Sequence, residues 1–214
     1  DGDNADYNPE SNDIPFSMVP ERKISIEDAK YVLSSYYQST PYDPYLKADL
    51  PFKGHYRPIG IARTGVTGLC QIRGYMPDKL KGIHWVSFGS NAFNQIIPIY
   101  ANTTNIPKYL SNVTNDASTE NLYWSSRIIA ALADSRFGEC IQLIERYQLA
   151  VGAKSYQILN EYDKKMLKAK KYDLCQEANS KIVEMMKKET TDVLNKVLLE
   201  VSKLMKSNFS RADN

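Results

Sequence analysis

Apolar and polar positions along this chain change period twice, and each change marks a different kind of structure. From Asp1 to Pro20 no period holds. The stretch is polar and broken by Pro9, Pro15 and Pro20, and it reads as an irregular lead-in. Ile26, Ala29, Val32, Leu33 and Tyr36 then recur at helical spacing, with Ser25 as N-cap and Asp28 in the capping-box position. The spacing predicts a helix over 26–37, halted by Ser39-Thr40-Pro41. Pro41, Pro44 and Pro51 make the segment from Thr40 to Gly54 an ordered loop.

A strand-like region follows. Ile59–Thr64 and Gly68–Arg73 are predicted strands, joined through Gly65-Val66-Thr67 as a hairpin connection. Ile83–Gly89 has the continuous apolar character of a strand covered on both faces. Gln95–Tyr100 is predicted as a fourth strand, which Pro98 pushes to an edge or a bulge.

From Thr119 the period returns to that of a helix. Leu122, Tyr123, Ser126, Ile129, Ala130 and Ala133 share one face behind a Ser118 or Thr119 cap. A second helical region spans 136–169, with Gly152 a possible bend, and a third spans 172–206. The short link at Lys170-Lys171 makes these two an antiparallel hairpin. The expected organisation is an acidic lead-in over 1–20, a helix-plus-sheet portion over 21–116 and a helical region over 117–214. The fold class is therefore α+β, an antiparallel sheet followed by a long C-terminal helical hairpin.

Charge narrows the function classes. Lys and Arg number 27 against 25 for Asp and Glu, a balance that argues against nucleic acid or a membrane surface as the main partner. Between Val151 and Lys206 there are 12 Lys against 8 acids, but the two signs interleave at helical spacing, as on a solvated face. No apolar run approaches the roughly 18 residues of a spanning helix. Asp1 to Asp13 carries five acids and no base, unlike a signal peptide. A cytoplasmic location is the expectation, with secretion left open; the sequons at Asn102, Asn112 and Asn208 carry little weight.

Candidate chemistry is sparse. Cys70, Cys140 and Cys175 are widely spaced and odd in number, which fits neither a disulfide framework nor a zinc pattern and suggests buried or half-buried thiols. His55 and His84 are the only histidines, and they form no metal-binding pair. Phosphate-binding glycine loops and the serine-hydrolase elbow are absent, so neither nucleotide binding nor serine-hydrolase chemistry has support in the sequence. Cys70 and His84 are the one conceivable thiolate pair, on adjacent strands. The alternation around Leu69 and Ile72 favours instead a thiol packed in one sheet face.

The ordered set of short motifs is more informative. Tyr37-Gln38-Ser39-Thr40-Pro41-Tyr42-Asp43-Pro44-Tyr45, Tyr56-Arg57-Pro58-Ile59, Arg63-Thr64 and Gln71-Ile72-Arg73 come first. Gly82-Ile83-His84-Trp85, Phe88-Gly89-Ser90, Pro98-Ile99-Tyr100, Asn105-Ile106-Pro107 and Tyr123-Trp124-Ser125-Ser126-Arg127 continue the series. Together, over residues 14–150, they closely resemble the C-terminal portion of the cysteine-type dipeptidases of the N-terminal nucleophile hydrolase superfamily.

That resemblance implies a four-layer αββα sandwich and dipeptide hydrolysis by an N-terminal Cys whose own amine is the general base, without metal or cofactor. Asp1 cannot be that nucleophile. Where the family has Thr-Pro-Arg after its Tyr-Asn pair, this chain has Pro9-Glu10 after Tyr7-Asn8, so either a segment was lost there or residues between Asn8 and Pro9 are missing from this sequence. No catalytic, cofactor-binding or metal residue is carried over. The nucleophile is expected in an N-terminal half outside this chain, which would be inactive alone. Its partners would be the dipeptide, that missing half and a possible homo-oligomer mate. Two alternatives stand: an amide hydrolase of the choloylglycine or penicillin acylase type, and a non-catalytic structural or oligomerisation module.

Overall fold

The structure, a computed structural model, describes residues 10–206. Helix α1 (Ile26–Ser34) starts where predicted: the Ser25 hydroxyl accepts from the Asp28 amide while the Asp28 carboxylate accepts from the Ser25 amide. It stops earlier than predicted, because Tyr37 and Ser39 turn the chain through positive φ of 62° each. The loop beyond is ordered by Asp43, whose carboxylate accepts from the amides of Ser39 and Tyr45. The Tyr45 ring stacks on Phe137 at 3.7 Å between centroids.

The first predicted strand does not form. Ile59–Thr64 lies in turns, because the Gly60 amide caps the end of α1 on the Ser35 carbonyl at 2.8 Å. A Cβ on Gly60 would stand 2.6 Å from the Ser34 oxygen, so only glycine permits this approach. Strand β1 (Val66–Ile72) consequently includes residues expected to be the hairpin connection: Val66 pairs with Phe88 and Thr67 with Ser87. Strands β2 (Gly82–Phe88) and β3 (Ile97–Tyr100) complete an antiparallel sheet of order β1-β2-β3. Pro98 sits on β3, an edge strand, where a missing N–H costs least.

The helices follow their periods closely. After the single turn α2 (Lys108–Ser111), α3 (Leu122–Ser135) is capped by Asn121 rather than by Ser118 or Thr119; the Asn121 side chain accepts from the Trp124 amide. Helix α4 (Phe137–Ala169) runs unbroken through Gly152, and Lys170 ends it in the left-handed region. Helix α5 (Cys175–Ser202) returns against α4. Of the described helices none is long and apolar enough to cross a membrane.

Both sheet faces meet helices, through two separate cores. Ile83, Trp85 and Tyr100 pack with Leu159, Tyr162 and Met166 of α4 and with Cys175 and Ala178 at the start of α5. Val86, Ile97 and Ile99, on the opposite face, pack with Leu122, Ile129, Ile182 and Met186 among others. The β3 edge is closed by α5: the fully buried Asn179 accepts from the Tyr100 amide at 2.8 Å and donates to the Tyr100 carbonyl at 3.2 Å. A buried ion pair reinforces the junction. Arg73, after β1, reaches Asp163 of α4 at 2.5 Å, and the same carboxylate accepts from the Tyr100 hydroxyl.

Asn179→Ala would leave the Tyr100 amide and carbonyl unpaired in the interior. A loss of about 2–4 kcal/mol in urea denaturation is expected, and a loss below about 0.5 kcal/mol would show that the edge is not held this way. Asp163→Ala would strand the Arg73 charge and cost about 3–5 kcal/mol in the same measurement.

Candidate functional site

The sheet places Cys70 and His84 opposite each other, register partners across β1 and β2 on a common face. Sequence proximity on adjacent strands therefore translates into adjacency in space. The pair is not a catalytic dyad, however. Both residues are exposed, and no hydrogen bond joins them. The imidazole leans along the strand instead, where a Cβ on Gly68 would lie 2.7 Å from its Nε2. Cys70 is thus a surface thiol, not the packed thiol expected from its alternation. Cys140 and Cys175 are buried as expected, and burial raises both thiols above the ordinary range, away from nucleophilic thiolate chemistry. Among the described residues no group of three or more His, Cys, Asp or Glu is placed to hold a metal ion.

A buried polar centre lies where α1 meets the sheet. Thr67 and Ser87 are register partners, and Asn91 sits beneath them: its carboxamide exchanges hydrogen bonds with the Thr67 hydroxyl at 2.7 and 2.9 Å. The same amide donates to the Leu33 carbonyl of α1 at 3.2 Å. Into this centre α1 sends Lys30, which is only 7% exposed. Its ammonium reaches the Ser34 hydroxyl at 2.5 Å and the Asn91 carbonyl at 2.8 Å. Neither partner carries charge. Burial therefore pulls the Lys30 amine down to about 7 from its ordinary value near 10.5.

Lys30 also lines a cleft of about 740 Å³ between α1 and α4. The walls are mainly apolar, from Ile26, Tyr31, Ile96, Ile141, Leu149 and Tyr156, and Glu27 and Glu145 also border the cleft. Its volume suits a small organic ligand. A buried amine that is half-charged near neutrality, at the wall of an apolar cleft, can donate to an anion or act as a base. Periodicity alone does not mark Lys30 as a functional residue. The signal was present, because Ile26, Lys30 and Leu33 share one helical stripe and place a lysine on the face that carries the apolar residues.

An α+β unit of antiparallel sheet and helical hairpin, with β1 paired on one side only among the described residues, defines the class of structure here. The chain belongs to peptidase family C69, whose model matches residues 2–150. It is 43% identical over 169 residues to a dipeptidase of Bifidobacterium longum, covering 78% of this chain and 32% of that protein. It is 38% identical over 206 residues to a probable dipeptidase A of Streptococcus pyogenes, covering 96% of this chain and 43% of that protein. Dipeptidase A of Lactobacillus helveticus is 35% identical over 159 residues, 74% of this chain and 33% of the relative. The chain thus spans less than half the length of these curated relatives.

The Lys30 amine has a testable consequence for stability. Its folded value lies below its unfolded one, so between about 7 and 10 the unfolded chain binds more protons and stability must rise with pH. Below 7 both states are protonated and the cost of burying the charge is felt in full. Melting curves from pH 6 to 9 should show stability rising by roughly 1–3 kcal/mol, and Lys30→Met should flatten that rise. A wild-type profile that is flat or falling over the window would contradict the placement of Lys30.

Proposed function

We propose that this chain is the sheet-and-helix portion of a dipeptide-hydrolysing peptidase whose cysteine nucleophile, with its own α-amine as base, lies in a part of the protein outside these residues. The observation that carries the reading is the family match over residues 2–150 together with the dipeptidase relatives. The chemistry of the described residues agrees with it. Two of the three thiols are buried with raised values, and the third has no base bonded to it. No thiol here shares a residue with a free amine, as N-terminal nucleophile chemistry requires.

The uncovered surfaces support the same assignment. β1 stands at the edge of the sheet, and the sequence from Val66 to Ile72 has no charge, no Pro and no bulge to discourage pairing. On its open face Val66 and Ile72 are 61% and 75% exposed. Ile14, Phe16, Met18 and Val19 in the segment before α1 are exposed as well. Apolar area on this scale marks a contact surface. The nucleophile-bearing portion is the proposed occupant, adding strands to β1 and covering that face, in the manner of a four-layer αββα sandwich.

Assay of the isolated chain and of the longer protein against Leu-Leu separates the possibilities. Turnover is expected from the longer protein alone, unaffected by Cys70→Ala and lost on replacing its N-terminal cysteine. Leu-Leu hydrolysis by the isolated chain, abolished by Cys70→Ala, would overturn the assignment. A longer protein that cleaves penicillin V or glycocholate but no dipeptide would transfer it to the acyl-amide hydrolases.

A further inference from the structure

We propose that the cleft between α1 and α4 is a binding site for a small apolar carboxylic acid, with Lys30 as the partner of the carboxylate. The inference rests on the cleft and its lysine alone, and stands or falls apart from the dipeptidase assignment.

Three observations meet here. First, Lys30 is the only lysine among the buried residues described, and it is held without a counter-charge: its two partners are a hydroxyl and a backbone carbonyl. An ammonium has three donors, so one remains for a ligand. Burying a lone cation is costly unless an anion joins it, and a carboxylate entering the cleft would supply that anion. Second, the walls are apolar and aromatic, from Ile26, Tyr31, Ile96, Ile141, Leu149 and Tyr156, and match an alkyl or aryl tail. Leu149 and Tyr31 are 74% and 62% exposed, so a tail lying along the cleft would take apolar surface out of water.

Third, several of the remaining polar groups are already engaged or carry the wrong sign for a polyanion. The Gln148 amide donates to the carbonyls of Ala92 and Asn94, and the Gln95 amide to that of Gln148. Burial, and next to it the Glu27 carboxylate, holds the Tyr156 phenol above its ordinary range. Glu145 is exposed. These two acids disfavour phosphates and dicarboxylates, leaving a single carboxylate on an apolar body as the complementary ligand.

Proton linkage gives the site a signature. Facing Lys30 are Glu27 and Tyr31 from α1, Glu145 and Tyr156 from α4, and Tyr36 from the following loop. Burial raises the Tyr36 phenol to about 12, well above neutrality. Burial brings the Lys30 amine down to about 7, close to neutrality. Binding a carboxylate must then take up a proton above neutrality, and affinity must weaken as pH rises.

Titration calorimetry of the 214-residue chain with octanoate, octanol and octylamine tests the site. Octanoate is expected to bind at pH 6.5 at least ~10-fold more tightly than octanol or octylamine, and to weaken ~5-fold or more by pH 8.5. Lys30→Met should abolish the preference for octanoate while octanol binding persists. Ala153→Trp, which fills the cleft from an exposed position on α4 and leaves Lys30 in place, should remove binding of both. Equal affinity for octanoate and octanol, no saturable octanoate binding, or octanoate binding unchanged in either variant would overturn the proposal. So would loss of octanoate binding in the longer protein, since another segment would then fill the cleft.

Discussion

The β3 edge depends on one side chain. Asn179 gives Tyr100 both the donor and the acceptor that a neighbouring strand would have given it, and so ends the sheet at β3. With that edge fixed, α5 is held alongside the sheet and α4, packed on α5, brings Asp163 to Arg73 and to the Tyr100 hydroxyl. Two cores on opposite faces then share one frame. The contrast with β1 is informative. The sheet has two edges, and the fold spends a buried amide on only one of them. An edge without charge, proline or cover is one that pairs with something.

That asymmetry organises the functional reading. The closed side, toward the helical hairpin, holds the two cores in which Ile83, Trp85, Val86, Ile97, Ile99 and Tyr100 are buried. The open side carries Val66, Cys70, Ile72 and His84 at the surface, and Ile14, Phe16, Met18 and Val19 before α1 are exposed as well. The chain belongs to peptidase family C69 and spans less than half the length of the dipeptidases it matches, and the proposed scaffold role rests on those two facts. Lys30 belongs to neither side; it stands at the joint between α1 and the sheet, beside a cleft of its own.

Much of this was legible in the residues. The three long helices and three of the four predicted strands follow directly from period, because their stripes are long and their breakers few. The failures have local causes. Ile59–Thr64 has the composition of a strand, but Gly60 is taken by a tertiary contact with the end of α1, and propensity yields to that contact. The Asn121 cap was missed for Ser118 and Thr119, three side chains of similar capping ability within four positions. Opposition of Cys70 and His84 was readable from strand adjacency; their exposure was not, because alternation gives a face but not what covers it. Lys30 was visible as a charge on an apolar stripe, yet nothing in one dimension tells a buried lysine from one whose stem reaches to solvent.

Hydrogen exchange at single-residue resolution, on the chain alone and on the longer protein, tests the asymmetry of the two edges most directly. The Tyr100 amide should be strongly protected in both. The β1 amides that do not face β2 should exchange freely in the isolated chain and become protected in the longer protein. Protection of those β1 amides in the chain alone, or free exchange in the longer protein, would contradict the account.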